Sequence, residues 1–265
     1  MPLAYYSRAA TAEFWSEHWG GQSIEALLRI ARVSPLTAII ERHLPRGGCV
    51  LEAGCGVGQY VLLLRERGWR AVGVDWSMEA TAQGARAGAP LAAMDLRRLA
   101  MRDGAAAAYL SLGVVEHDPD GPDAIVAEAA RVLAPGGTIL LSVPYWNGVR
   151  RLAAPWLAWR GRCVRGSGGE FYQFAFTRRE VRAFLERRGF VVRGFHPYDP
   201  ARILRKAVPA LVTRRVGVGS GDAVGTGFEA GGGWRSRLRR LLYTEPALRC
   251  LGHMILAVAT RPGRS

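Results

Sequence analysis

Val50-Leu51-Glu52-Ala53-Gly54-Cys55-Gly56-Val57-Gly58 is an apolar run that breaks into three glycines at alternate positions. Residues 49–53 read as a buried strand, and a helix from about 58 to 67 follows the glycines. Glycine lets the backbone turn tightly and approach a ligand closely. In open α/β sheets ligands collect at the carboxyl ends of the strands, so this turn is a candidate binding loop. A glycine turn without a ligand is the plain alternative. A dinucleotide fold would place a third glycine at position 59, counting from Gly54. Residue 59 is Gln, which weakens a nicotinamide reading.

Working outward, short apolar runs alternate with helical patterns. Strands are expected at 71–74, 90–94, 105–112, 138–143, 190–195 and 254–260, the alanine-rich fourth being ambiguous by propensity alone. A helix at 123–133 should stop at Ala134-Pro135-Gly136-Gly137. Thr177, with Glu180 three residues on, has the spacing of a capping box. Continuous apolar strands alternating with helices imply a parallel sheet covered on both faces. Three pieces fall outside that rhythm. Residues 1–46 read as an N-terminal helical lid, dense in aromatics from Phe14 to Trp19. Residues 144–172 and 197–252 read as cap inserts in a main domain spanning 47–265.

Acidic residues stand at three strand ends. Glu52 ends the first, Asp75 the second and Asp95 the third. A carboxylate at Asp75 can accept both hydroxyls of a ribose. One at Asp95 can accept from an adenine amino group, with the Leu96 N–H donating to the ring. A single such acid is weak evidence, but the three together form a coherent site for an adenosyl group.

The segment 50–58 resembles the first motif of class I S-adenosylmethionine-dependent methyltransferases. Gly73-Val74-Asp75-Trp76-Ser77 resembles their second. Leu110-Ser111-Leu112-Gly113-Val114-Val115-Glu116-His117 is similar to the fourth-strand motif of the small-molecule, ubiquinone-methyltransferase-like (type 11) branch. Arg131-Val132-Leu133-Ala134-Pro135-Gly136-Gly137 is similar to the segment before strand five. The motifs occur in order over about 47–145. The resemblance implies a Rossmann-like, doubly wound seven-stranded sheet whose last strand runs antiparallel between the fifth and sixth. It implies S-adenosylmethionine as cofactor, held by Glu52, Gly54, Gly56, Asp75, Trp76, Asp95, Leu96 and Leu112, with Cys55 and Gly58 in the same turn. There are two departures. Ala106-Ala107 replaces the Phe-Asp that often opens the fourth strand. Gly113 replaces the first Glu of the Glu-x-x-Glu-His metal site of ubiquinone-pathway O-methyltransferases, so no metal is expected.

The resemblance thus points to methyl transfer onto an oxygen, nitrogen or carbon of a small acceptor, and the basic half would suit one of amphiphilic or anionic character. The alternatives are a non-catalytic S-adenosylmethionine-binding regulator and an RNA-directed methyltransferase. Transfer from a sulfonium is an in-line displacement in which the protein aligns the acceptor and excludes water. A hydroxyl or amine acceptor must also lose a proton. Candidate bases are His117, Glu116 and Tyr145, then His18 and His196. His117 comes first because imidazole titrates near neutral pH.

Charge is unevenly placed. Residues 1–144 carry 13 Arg against 15 acids, whereas 145–265 carry 23 basic residues against 7 acids, giving +14 overall. A basic half attracts anionic partners. Stretches at 149–160, 201–206 and 234–243 mix Arg with Trp and Leu in the manner of helices that lie on anionic membranes. An ordinary cap with wet arginines is the plain alternative, and no recognisable RNA module accompanies the charge. With 49% hydrophobic residues the chain can bury a full core, and no apolar run approaches the roughly 20 residues of a membrane span. The first residues lack a signal-peptide layout, so the expectation is a cytoplasmic protein, with peripheral contact to an anionic membrane as the alternative to an ordinary cap. Cys49, Cys55, Cys163 and Cys250 form no Cys-x-x-Cys pair and read as free thiols.

Overall fold

The computed structural model describes residues 2–200, 202 and 240–263. The basic stretches at 203–206 and 234–239 and the Gly-rich loop at 217–233 lie outside the described residues.

The seven-stranded sheet expected from the sequence is present. It comprises β2 (Cys49–Ala53), β3 (Arg70–Asp75), β4 (Leu91–Ala93), β5 (Ala106–Leu112), β6 (Leu133–Pro144), β8 (Val191–Tyr198) and β9 (Met254–Thr260). Their order is β4-β3-β2-β5-β6-β9-β8. β2 to β6 run parallel, and β9 inserts antiparallel between β6 and β8. Side chains alternate across the pleat, so each strand serves two layers. Leu51, Ala53, Tyr109, Ile139 and Leu141 enter one core with Val126 and Ala129 of α6 (Asp123–Val132) and Leu185 of α9 (Arg178–Arg187). Val50, Ala108, Leu110 and Leu140 enter the other with Ile40 of α3 (Pro35–His43) and Leu63 and Leu64 of α4 (Gln59–Glu66). Burial on both faces explains why these strands are apolar throughout rather than alternating. The Thr177–Glu180 capping box opens α9 as the spacing indicates.

Two elements differ from the sequence reading. The N-terminal lead-in is not wholly helical, because it begins with β1 (Leu3–Ser7). That strand pairs antiparallel with β7 (Glu170–Ala175), from Leu3 opposite Ala175 to Ser7 opposite Glu170. A five-residue strand whose partner lies over 160 positions away leaves no local signature. The fifth sheet strand also starts earlier than residue 138, directly after α6. Gly136, at φ 79°, donates its N–H to Arg261, which returns one to Gly137. The Pro-Gly-Gly stretch therefore turns near the start of β6, between β5 and β9, instead of forming a loop outside the sheet.

Between β1 and β2 lie α1 (Ala12–Gly20), α2 (Ile24–Val33) and α3. Between β6 and β7 lie α7 (Gly148–Leu152) and α8 (Ala154–Gly166). α5 (Met78–Arg86) follows β3, and α10 (Glu245–Leu251) precedes β9. Among the described residues no helix is long and apolar enough to cross a membrane.

Candidate functional site

The site is built at the carboxyl ends of β2, β3 and β5. After Ala53 the chain enters left-handed backbone at Gly54 (φ 79°) and Gly56 (φ 54°). Both need glycine for space as well as for backbone angle. A Cβ on Gly54 would stand 2.3 Å from Val114 Cγ2, and one on Gly56 would stand 2.6 Å from the indole of Trp19. The Gly54 and Cys55 N–H groups donate to the Val74 carbonyl, tying the turn to β3.

Asp75 completes that tie. Its Oδ2 accepts from Gly56 N at 2.8 Å, and its Oδ1 accepts from Ser77 N at 3.0 Å. The buried carboxyl is pushed above its ordinary range by burial, and these N–H donors oppose the shift. Each oxygen has a second lone pair, so the carboxylate can still accept from a ligand hydroxyl. Glu52, one residue before the strand ends, is only 2% exposed, and its Oε2 has no hydrogen-bond partner. Burial pushes this carboxyl up to about 8; a backbone N–H at Val61 opposes the shift, and the Asp75 charge adds to it. A buried carboxyl with an unused oxygen is costly and calls for a donor.

The other expected contacts divide. Gly58, at φ 77°, caps α4. Cys55 is buried, its thiol directed to the Gly56 carbonyl and driven far up by burial, so only its backbone faces the turn. Trp76 is 45% exposed at the end of β3. Leu96 is buried in the core past β4, and Leu112 packs partly buried beside the β2 layer. Asp95 binds the Arg97 guanidinium, with Nη2 to Oδ2 at 2.9 Å, and that partner lowers its pKa. It therefore differs from Glu52, whose carboxyl has an oxygen without a partner.

Beyond β5 a single 3-10 turn, Val115–His117, carries the two first-choice bases. Glu116 is 2% exposed; its Oε2 has no partner, and burial pushes it up to about 8. His117 Nδ1 lies 2.8 Å from the carbonyl oxygen of Tyr172 on β7. A carbonyl only accepts, so Nδ1 carries the hydrogen and Nε2 of the neutral ring is left as an acceptor. Burial lowers the imidazole to about 4, against the opposing pull of that hydrogen bond, so the expected titration near neutral pH does not hold for this ring. The ring sits edge-on to Trp15 at 5.0 Å and to Tyr172 at 5.1 Å.

The remaining candidate bases lie in other settings. Tyr145 is a core residue under the Arg178 guanidinium. His196 faces His43 of α3, with their Nε2 atoms 3.1 Å apart. His18 stacks on Phe14 within α1.

α1 lies across all three strand ends. Trp19 covers Gly56, Ser16 Oγ is 3.1 Å from Ser77 Oγ and donates to Glu79, and Trp15 meets His117. The helix starts at Thr11, whose side chain accepts from Phe14 N. Reading the sequence alone singled out these aromatics but missed Tyr172. The run Phe171-Tyr172-Gln173-Phe174-Ala175-Phe176 is rich in strand-forming aromatics and was the available signal. Tyr198, whose hydroxyl lies 2.5 Å from Ser142 Oγ, was missed as well; its phenol is raised by burial.

Comparisons with known proteins agree with this architecture. A family model described as a methyltransferase domain matches residues 26–193. A protein of Mycolicibacterium smegmatis, described as a "probable S-adenosylmethionine-dependent methyltransferase", is 36% identical over 105 residues. The match covers 38% of this chain and 40% of that protein, so the chain spans about two-fifths of this relative's length. An S-adenosylmethionine-dependent methyltransferase from Mesorhizobium loti superposes with a TM-score of 0.56 at 17% identity, covering 87% of this chain and 100% of that one. Geranyl diphosphate C-methyltransferase of Streptomyces coelicolor, solved with magnesium, geranyl diphosphate and S-adenosylhomocysteine, gives 0.56 at 17%, covering 85% and 78%. At such identities the solved structures establish the fold. The family model covers more than half of the chain, from α2 through the glycine turn and the His117 turn into β8, and the chain belongs to this family of methyltransferase domains.

Proposed function

We propose that this chain is an S-adenosylmethionine-dependent methyltransferase that methylates an oxygen, a nitrogen or a carbon of a small acceptor. The observation that carries the reading is Glu52. Its buried carboxyl, with one oxygen unused, sits at the base of a turn whose glycines carry no side chains of their own and lie against Val114 and the Trp19 ring. That arrangement suits the ammonium of an amino-acid moiety. Asp75 suits ribose hydroxyls, the Leu96 N–H suits an adenine ring, and the glycine backbone suits close approach. The residues present therefore fit the cofactor. When bound, it supplies a methyl group on a sulfonium, activated for displacement.

The protein's own part is to hold, dry and deprotonate the acceptor. Phe14, Trp15 and Trp19 of α1 cover the strand ends with aromatic surface and keep water from them. His117 is the preferred proton acceptor. The Tyr172 carbonyl fixes its tautomer and ring orientation, and Nε2 carries the lone pair. Glu116 is the second candidate because its carboxyl is buried with one oxygen free of hydrogen bonds. Positioning of this kind supplies on the order of 7–11 kcal/mol in well-aligned systems.

Titration calorimetry with S-adenosylmethionine, S-adenosylhomocysteine and NAD tests the cofactor assignment. Binding of the first two, and not the third, is expected; binding of NAD alone overturns it. A screen of small acceptors with methyl-labelled cofactor then tests transfer. Tight cofactor binding with no labelled product across oxygen, nitrogen and carbon acceptors would favour a cofactor-binding regulator.

A further inference from the structure

α7 and α8 form a helical arm between β6 and β7 whose outer surface has no partner among the described residues. Trp156 and Trp159 are three residues apart on α8, which places them on one side of that helix, and Leu152 is the last residue of α7, just before it. Leu152, Trp156 and Trp159 are 87%, 53% and 57% exposed. The opposite side, at Leu157, Gly161 and Val164, is partly buried, and Gly161 approaches Tyr6 of β1. The arm thus points its small and aliphatic residues inward and its two indoles outward. A solvent-facing stripe of this kind marks an interaction surface rather than scattered exposed residues.

The charge around the stripe selects the partner. No acidic residue lies between Glu128 and Glu170, and α7 and α8 carry Arg150, Arg151, Arg160, Arg162 and Arg165. Arg150 is directed inward, to the Tyr145 carbonyl and His253. Arg151, Arg160 and Arg162 are exposed and flank the stripe, with the Arg160 guanidinium 5.5 Å from the Trp156 ring. Indoles favour the boundary between headgroups and acyl chains, and arginine reaches past apolar surface to anionic groups. An acid-free arginine face attracts any polyanion, but an exposed leucine beside two indoles suits the boundary between headgroups and acyl chains better than a polar partner.

We propose that the outer face of α7 and α8 seats on an anionic lipid bilayer, with Leu152, Trp156 and Trp159 at the headgroup boundary and Arg151, Arg160 and Arg162 against lipid phosphates. α8 leads directly into β7, whose Tyr172 holds His117. A seated arm therefore lies one strand from the candidate base, within reach of an acceptor that partitions into the bilayer. This inference goes beyond the methyltransferase reading, and its test needs no turnover.

The full chain is sedimented with phosphatidylcholine vesicles with and without phosphatidylglycerol. Binding to the anionic vesicles only is expected. The Trp156→Ala, Trp159→Ala double variant should weaken it at least tenfold. Each of Arg151→Gln, Arg160→Gln and Arg162→Gln should weaken it about fivefold. Melting temperature and S-adenosylhomocysteine affinity should be unchanged in all variants, since these side chains are exposed and outside the cofactor site. Four outcomes overturn the proposal: no binding to either vesicle, equal binding to both, binding unaffected by the variants, or the same side chains supporting RNA binding or self-association instead.

Discussion

Nδ1 of His117 and the carbonyl oxygen of Tyr172 are 2.8 Å apart, joining the turn after β5 to a strand that pairs with the N-terminus of the chain. This bond sets the tautomer of the candidate base. It also makes that base depend on β7, and through β7 on β1.

His117→Ala should lower kcat by about a hundredfold or more, the scale of general base catalysis. Affinity for S-adenosylhomocysteine should stay within about twofold. The pH profile separates the two candidate bases. Imidazole held at about 4 is already neutral above pH 5, so its rate contribution is flat from pH 5.5 to 8. A carboxyl held at about 8 would make the rate climb through that range. A rising limb that disappears in Glu116→Gln would transfer the role to Glu116.

Stability of the ligand-free protein should fall as pH rises from about 6.5 to 8. Glu52 and Glu116 are both held at about 8 in the fold, against 4.5 as their ordinary value. The folded state therefore keeps protons that the unfolded chain has released. The stabilisation is full below pH 4.5 and is lost through pH 8, at up to about 1.4 kcal/mol per pH unit for each group. His117 has the opposite sign, with its folded value below 6.5, and it acts only below that pH. Thermal melts at half-unit steps should show the decline, and Glu116→Gln should reduce its slope by about half. An unchanged slope in that variant would contradict the buried-carboxyl account.

Gly56→Ala should destabilise the fold and abolish cofactor binding. An alanine at φ 54° costs roughly 1–2 kcal/mol in backbone strain, and its Cβ would press on the Trp19 ring. Combining it with Trp19→Ala should recover the steric part only. A double-mutant cycle on melting temperature measures the coupling, which should be stabilising in the pair relative to the sum of the singles.

Asp75→Asn should weaken cofactor affinity at least tenfold and lower stability by about 1–3 kcal/mol. The amide keeps one acceptor oxygen, so either Gly56 N or Ser77 N loses its partner. Calorimetry and thermal melts on the same preparation check both effects.

The succession of strands along the chain, the glycine turn and the Thr177–Glu180 cap were legible because each is local, whereas the antiparallel place of the last strand followed from the family resemblance. A buried parallel strand is apolar throughout, a tight turn demands glycine, and a cap places its two partners three residues apart. The strand-end carboxylates followed from the same rhythm, and Glu52 and Asp75 stand where it puts them. Three other features came only from tertiary structure: the β1–β7 pairing, Trp19 against Gly56, and the Tyr172 carbonyl on His117. Two of these join segments more than 50 residues apart, and the third brings an aromatic ring onto a residue with no side chain. A backbone carbonyl and a bare glycine face are the same for any sequence that forms them. Only the folded chain shows which side chain each one meets.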